Sequence, residues 1–265
     1  MIRSLLFVPA KENKLNKIPS LSSDGYIIDL EDSIIDSEKE EALKVLCSFL
    51  TAHQNIPNLF VRLNKDRFKK EAIVLDQFRV GFMLPKFEIV EDYSELKHIW
   101  NLHCTIALVE TPMGIINIRD IVQCPWITSL AFGAEDYTAS MNMQNQNDLL
   151  LPIKSSLVTY AKAYNKIIYD TPSFNINNQD AFEKDVSESV SLGFNGKLLI
   201  HPKQIEFVNK TFGEIDLDYL AYIISEYEKK NNAVSIIDGK IYEKMHIDRY
   251  RRIISENNEH KNIEI

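Results

Sequence analysis

Eight short apolar runs, separated by stretches of helical period, constrain this chain more than any other feature. The runs are Ser4–Val8, Tyr26–Asp29, Leu59–Leu63, Gly81–Leu84, Thr105–Val109, Ser129–Phe132, Ile167–Tyr169 and Leu198–Ile200. Each is rich in β-branched, aromatic or leucine side chains, as strands buried on both faces require. The clearest helical patterns between them are Glu38–Phe49, Asp92–Asn101, Leu149–Tyr164 and Asp180–Leu192. Strands alternating with helices describe a parallel sheet covered on its outer side, and eight repeats describe a closed one. The expected fold class is therefore α/β, a (β/α)8 TIM barrel. An open, doubly wound sheet would need a nucleotide crevice, whereas the chain has only eight glycines and neither a GxGxxG nor a Walker pattern. With 265 residues and 45% hydrophobic composition, the chain can bury one large core.

The alternation stops after about Asn209. Two further helical patterns, Leu217–Lys230 and His246–Glu256, flank a polar stretch, Ala233–Lys240. The expected organisation is a barrel over residues 1–215 and a C-terminal helical extension over residues 216–265, a lid on its own barrel or an arm reaching a neighbouring subunit. The final residues, Asn257–Ile265, are polar and expected to fray. Ser37 followed by Glu40 has the spacing of a capping box and marks the start of the helix after the second strand.

A net charge of -8, with no long Lys/Arg run, argues against a nucleic-acid partner. The three cysteines, Cys47, Cys104 and Cys124, are widely spaced and outside any CxxC pattern, which suggests neither a disulfide framework nor a zinc site. Leu5–Ala10 is too short to span a membrane and starts a strand pattern rather than a signal peptide. No membrane partner is expected, and the cytoplasm is the expected location.

In a barrel of this kind the chemistry gathers at the C-terminal ends of the strands. Those ends carry Asp29, Glu31 and Asp32 after the second run, then Arg62 and Asn64, Lys86, Glu110, Glu135 with Asp136, Asp170 and His201. Several have ordinary readings. Asp32 and Asp170 suit helix N-caps, Lys86 suits a loop lysine paired with Glu88, and His201 suits a hydrogen-bonded rim histidine. Glu110 and Asp136 are different, because each follows a run too apolar to face solvent and both would open into the same mouth. Two such carboxylates repel unless a cation lies between them, and an all-oxygen site completed by water and substrate suits Mg²⁺. Arg62 would offer a planar fork to a substrate carboxylate.

At these residues the sequence resembles the citrate lyase β-subunit-like (CitE-like) branch of the HpcH/HpaI aldolase superfamily. The resemblance rests on segments in family order over the first ~215 residues, the part the barrel would occupy. They are Arg3-Ser-Leu-Leu-Phe-Val-Pro9, Ile28-Asp-Leu-Glu-Asp32, Val61-Arg-Leu-Asn64, Leu84-Pro-Lys86, Leu108-Val-Glu-Thr-Pro-Met-Gly114, Phe132-Gly-Ala-Glu-Asp136, and Gly193-Phe with Ile200-His-Pro-Lys-Gln-Ile205. The resemblance implies a homotrimeric Mg²⁺-dependent lyase, with the metal on Glu110 and Asp136 and Arg62 on the substrate carboxylate and carbonyl. It also implies that Glu31 and Asp32 support the metal's waters, and that the turn with Pro112 and Gly114 lets a small oxo acid approach the backbone. The implied substrates are citramalyl, malyl or citryl thioesters of coenzyme A or acyl carrier protein, cleaved to an oxo acid and an acyl thioester.

Two segments depart from the family pattern. Coenzyme-A-using relatives carry an acid in a C-terminal Asp-Gly-Lys-Met-x-Asp segment donated by a neighbouring subunit, and here the stretch reads Asp238-Gly-Lys-Ile-Tyr-Glu243. Lys14 and Lys17 stand roughly where relatives bind the coenzyme A phosphates, in a loop one residue short. Glu243 is expected to take the place of the acid, and Lys14 and Lys17 either that of the phosphate contacts or that of an ordinary exposed lysine-rich loop. The alternative is a metal-dependent aldolase or biosynthetic enzyme acting on free pyruvate or oxaloacetate derivatives without a thioester. A third possibility is a barrel that binds an oxo acid and a partner protein without turnover.

Overall fold

The computed structural model describes residues 1–144, 147–174, 176–213, 217–230 and 232–261. Eight parallel strands close in sequence order into a barrel, with the last pairing to the first. They are β1 (Ser4–Pro9), β2 (Gly25–Asp29), β3 (Leu59–Arg62), β4 (Gly81–Leu84), β5 (Thr105–Val109), β6 (Ser129–Phe132), β7 (Ile167–Asp170) and β8 (Gly196–Leu199). The helices of this part are α1 (Glu12–Leu15), α2 (Lys39–Ala52), α3 (Phe68–Leu75), α4 (Lys97–Trp100), α5 (Pro112–Ile116), α6 (Ile118–Gln123), α7 (Ala134–Ser140), α8 (Asn147–Ala163), α9 (Gln179–Leu192) and α10 (Ile205–Gly213). This is the (β/α)8 TIM barrel that the alternating runs predict.

Alternation of side chains along each strand divides the core into two. Leu5, Ile27, Phe60, Met83, Ile106, Leu108, Ala131, Tyr169 and Leu198 fill the barrel's interior. Their neighbours, among them Leu6, Ile28, Val61, Phe82, Ala107, Leu130, Ile168 and Leu199, face outward into the layer shared with the helices. The interior is thus a packed plug rather than a pore, and its upper end is the floor of the mouth.

Local differences from the sequence reading have physical causes. No capping box forms at Ser37. The chain passes through a 3-10 turn over Asp36–Glu38, and α2 starts at Lys39 without a side-chain cap. Asp92–Asn101 is likewise mostly a 3-10 turn over Val90–Leu96 followed by the short α4, held by Trp100 Nε1 donating to the Tyr93 carbonyl at 2.8 Å.

The chain divides into two compact units, of which the barrel is Ile2–Gly213. In the second, α11 (Leu217–Lys230) and α12 (Lys244–Lys261) accompany an antiparallel hairpin of β9 (Val234–Ile237) and β10 (Lys240–Glu243). The polar stretch Ala233–Lys240 is therefore largely a hairpin. Its turn is Asp238-Gly239, with φ of 49° and 75°, the left-handed pair that a tight type I′ turn requires. One hairpin face packs Ile237 and Tyr242 onto Ile223 and Ile247. The other exposes Val234, Ile236 and Ile241 beside Glu243. No helix among the described residues is long and apolar enough to cross a membrane.

Candidate active site

The barrel mouth is built by one rule. Two residues beyond each interior side chain, the same alternation returns the next side chain to the barrel axis, above the plug. From Leu5, Ile27, Phe60, Leu108, Ala131, Tyr169 and Leu198 this gives Phe7, Asp29, Arg62, Glu110, Gly133, Thr171 and Ile200. All seven line a cavity of about 420 Å³, together with Asp32, Ala134, Glu135, Asp136 and the apolar Pro9, Leu108, Pro172, Phe174 and Leu198. Small-molecule sites have this character, mostly apolar with a few convergent polar groups.

Arg62 is the cationic anchor. Its Nε and Nη2 donate to the two oxygens of Asp29 at 2.7 and 2.8 Å, a bidentate pair that fixes the guanidinium plane. Its Nη1 lies 2.9 Å from Asp32 Oδ2 and 3.3 Å from Glu31 Oε2, and its Cζ sits 4.9 Å over the Phe7 ring. Asp29 also accepts the backbone N–H groups of Glu31 and Ser33. Burial would raise the Asp29 carboxyl, but Arg62 outweighs that and holds it below the usual carboxylate range. The fork predicted to grip a substrate is thus already held on one edge by Asp29. The Nη1 side remains, shared with Asp32, whose side chain is 56% exposed.

Glu110 follows β5, nearly fully buried, with Oε1 accepting the Lys86 N–H at 2.8 Å. A Cβ on Gly133 would come within 2.5 Å of Glu110 Oε2, so this carboxylate occupies the space that only glycine leaves. Burial pushes the Glu110 carboxyl up to about 8; the Lys86 N–H opposes this, and the charges of Asp136 and Glu31 add to it. Asp136, in the first turn of α7, opens into the same cavity. Two carboxylates thus open into one mouth, and this oxygen-only donor set fits a hard divalent cation. Among the described residues no group of three or more His, Cys, Asp and Glu side chains could hold a metal ion, so an ion on Glu110 and Asp136 would take its remaining ligands from water and substrate.

The other residues singled out in the sequence fall into three places. Glu31 is buried beside the cavity rather than lining it, between Arg62 and Lys86. Its Oε2 has no hydrogen-bond partner, and burial pushes its carboxyl up to about 7, with Arg62 opposing and Asp32 adding. Pro112 and Gly114 form the first turn of α5, where a Cβ on Gly114 would meet the Phe87 carbonyl at 2.6 Å; neither lines the cavity. Lys14 and Lys17 are exposed after β1, and Glu243 is exposed at the end of β10, its N–H donated to His246 Nδ1. His201 caps the 3-10 turn after β8, its Nδ1 accepting the Lys203 N–H. Glu88 pairs with Lys65, not with Lys86.

Asp170 is absent from the mouth. Because Tyr169 faces inward, Asp170 faces outward, fully buried against Lys154 and Lys197. Gly133 and Thr171 were not singled out in the sequence, and Asp29, counted there among the strand-end acids, was given no role. Counting in twos from the interior side chains would have found all three.

The family model for HpcH/HpaI aldolase/citrate lyase matches residues 3–202, most of the chain and nearly all of the barrel. The chain belongs to that family. Within it, the chain is 27% identical over 267 residues to a (3S)-malyl-CoA thioesterase of Cereibacter sphaeroides, covering 96% of this chain and 93% of the relative. It is 28% identical over 239 residues to the mitochondrial citramalyl-CoA lyase of Rattus norvegicus, covering 79% and 71%. In fold it is similar to the protein CitE from Mycobacterium tuberculosis, solved in complex with magnesium, acetoacetate and coenzyme A, with a TM-score of 0.79 and 21% identity over 96% of this chain and 98% of that one.

Proposed function

We propose that this HpcH/HpaI aldolase/citrate lyase family member is a Mg²⁺-dependent carbon–carbon lyase. It would cleave a citramalyl-, malyl- or citryl-type thioester into an oxo acid and an acyl thioester. The observation that carries this reading is the pair Glu110 and Asp136 opening into one largely apolar mouth with Arg62. The relatives named for malyl-CoA and citramalyl-CoA support coenzyme A as the acyl carrier.

Bound on Glu110 and Asp136, Mg²⁺ would polarise the oxygen that becomes the oxo-acid carbonyl. The chain's own residues do the rest. Asp29 holds the Arg62 plane still, so that Nη1 can exchange the exposed Asp32 for the substrate carboxylate. Glu31, buried behind, keeps Arg62 in place. Phe7, Leu108 and Leu198 exclude water from the reacting carbons. The hydroxyl proton would pass to the exposed Asp32 carboxylate as the new carbonyl forms and the carbon–carbon bond breaks, and the electron pair left on the thioester's α-carbon must take up a proton.

For that proton we infer Glu243, brought by another copy in a homotrimer. Its place on the hairpin's exposed apolar face, beside Val234, Ile236 and Ile241, suits a surface that another subunit covers. Residues 216–265 are then an arm, with Lys14 and Lys17 candidates for the coenzyme A phosphates. The three free cysteines fit a cytoplasmic protein.

Purified protein with Mg²⁺ is expected to release an oxo acid from at least one of malyl-, citramalyl- or citryl-CoA. Glu110→Ala, Asp136→Ala and Arg62→Ala should each abolish release, and Glu243→Ala should weaken it. No release from any of these thioesters, with pyruvate or oxaloacetate still bound, would favour a free oxo-acid substrate instead, as the longer Glu243 side chain would suggest.

A further inference from the structure

Lys86 stands where carboxylates from three strand ends converge. It follows β4 with a φ of 46°, a left-handed conformation that a lysine rarely adopts. That turn aims its N–H at Glu110 Oε1 and carries the side chain back over the rim. There Nζ lies 3.5 Å from Glu31 Oε1 and 3.9 Å from Asp136 Oδ2. Burial alone would lower the ammonium's pKa; Glu31 first, then Asp32, Asp136 and Glu110 outweigh it and hold the pKa above its ordinary value. The side chain is about one-third exposed, which leaves it a path to swing outward. Thus one residue touches both carboxylates assigned to the metal, one through its backbone and the other through its side chain.

We propose that Lys86 is the built-in counter-ion of the acidic mouth and sets its metal affinity. Its ammonium shields Glu31 and Asp136 while no divalent cation is bound, and it must withdraw from Asp136 for a cation to bind. The inference rests on the reading that Glu110 and Asp136 hold the metal. An ammonium and a dication compete for the same carboxylate oxygens and repel each other at these distances, more strongly in a half-enclosed mouth than in water. Metal binding to Asp136 therefore includes breaking the Lys86 contact. Replacing the charge by a neutral chain of similar length removes both the competitor and the repulsion.

The test is Mn²⁺ titration of the full-length protein by calorimetry and by loss of the free-ion paramagnetic signal, with no substrate present. Lys86→Met is expected to lower the Mn²⁺ dissociation constant by about threefold to thirtyfold. Lys86→Arg, which keeps the charge, should stay within about twofold of wild type. In thermal unfolding, metal-free Lys86→Met should melt below wild type, and saturating Mn²⁺ should raise its midpoint more. Lys86→Gln serves in place of the methionine variant should the latter not fold. An unchanged or weaker affinity in both neutral variants, with Glu110→Gln still abolishing Mn²⁺ binding, overturns the role of Lys86 and leaves the metal site standing. No Mn²⁺ binding by wild type, or binding indifferent to Glu110→Gln, overturns both.

Discussion

At the scale of single residues, the mouth depends on what is missing as much as on what is present. Gly133 has an ordinary negative φ of -106°, so nothing in its backbone demands glycine. The demand comes from Glu110, whose Oε2 would lie 2.5 Å and Cβ 2.6 Å from any Cβ at that position. Gly133→Ala should therefore push Glu110 off its place without breaking the barrel. A displacement of about 1 Å at a reacting centre commonly costs on the order of a hundredfold in rate. We expect lyase activity to fall by about that factor while the denaturant midpoint reports a loss of about 1–3 kcal/mol, since the Glu110 Cβ can yield only with its backbone. Wild-type activity in the variant would mean that Glu110 has room to spare, and that its position is not critical. Gly114 has a different reason for being glycine. Its neighbour is the Phe87 carbonyl, a backbone group, so alanine there should cost fold stability first.

At the scale of elements, the short helix α7 brings Asp136 to the mouth, and its orientation rests on a hydrogen bond from outside the helix. Ala134, its first residue, donates its N–H to Thr171 Oγ1 at 3.1 Å, and both residues are buried. Thr171→Val keeps the shape but leaves that N–H unpaired, at a cost of about 1–3 kcal/mol. We expect the Mg²⁺ concentration for half-maximal activity to rise several-fold in Thr171→Val and to return to near wild type in Thr171→Ser. If serine failed to restore it, the effect would be one of packing. Most elements were legible in the sequence. The runs Gly81–Leu84, Thr105–Val109 and Ser129–Phe132 are β4, β5 and β6 residue for residue, because each is largely apolar and stops at a proline, a charged residue or a glycine: Pro85, Glu110 and Gly133. The last strand, read at Leu198–Ile200, runs over Gly196–Leu199, starting two residues earlier and ending one earlier, since Lys197 looks like a strand's end but is buried within it. The hairpin β9–β10 was hidden because its exposed face is as apolar as its buried one, and four residues are too few for a period to show. In the site, charge was legible and parity was not used: Glu110, Asp136, Arg62 and the acid Asp29 stood out at strand ends, while the clamp of Asp29 on Arg62 and the place of Thr171 needed the alternation along β2 and β7.

At the scale of the whole barrel, its seventh and eighth strands are fastened to their helices by buried charge. Asp170 on β7 and Lys197 on β8 are register partners. Lys197 Nζ lies 3.0 Å from Asp170 Oδ2 and 3.1 Å from Asp185 Oδ2 of α9, while Lys154 of α8 lies 3.1 Å from Asp170 Oδ2. Ser189 also donates its hydroxyl to Asp170. Burial would raise the Asp170 carboxyl, but Lys197 and then Lys154 overcome it and hold it below the ordinary range. Burial would lower the Lys197 ammonium, but Asp170 and then Asp185 hold it above its ordinary value. A depressed carboxylate stabilises the fold above its unfolded pKa of about 4 and loses that contribution as pH falls through the folded value. A raised lysine does so below about 10.4 and loses it as pH climbs through the folded value. Stability from this cluster is thus level between about pH 4 and 10 and falls away on either side. Lys197→Met takes one of the cluster's two cations from Asp170 and Asp185, and losing one member of a buried ionic group costs about 3–5 kcal/mol. With Lys197 gone, Asp170 loses its largest lowering influence, so the acid-side fall should begin at higher pH than in wild type. The double variant Lys197→Met/Asp185→Leu, in which one cation again faces one anion, should regain much of the loss. Urea unfolding from pH 3 to 8 measures all of this. A cost below about 1 kcal/mol for Lys197→Met with an unmoved acid limb would mean that packing, not charge, fastens these strands. The barrel separates its charges by strand parity, so inward-facing charges arm the mouth while outward-facing ones tie the wall to its helices.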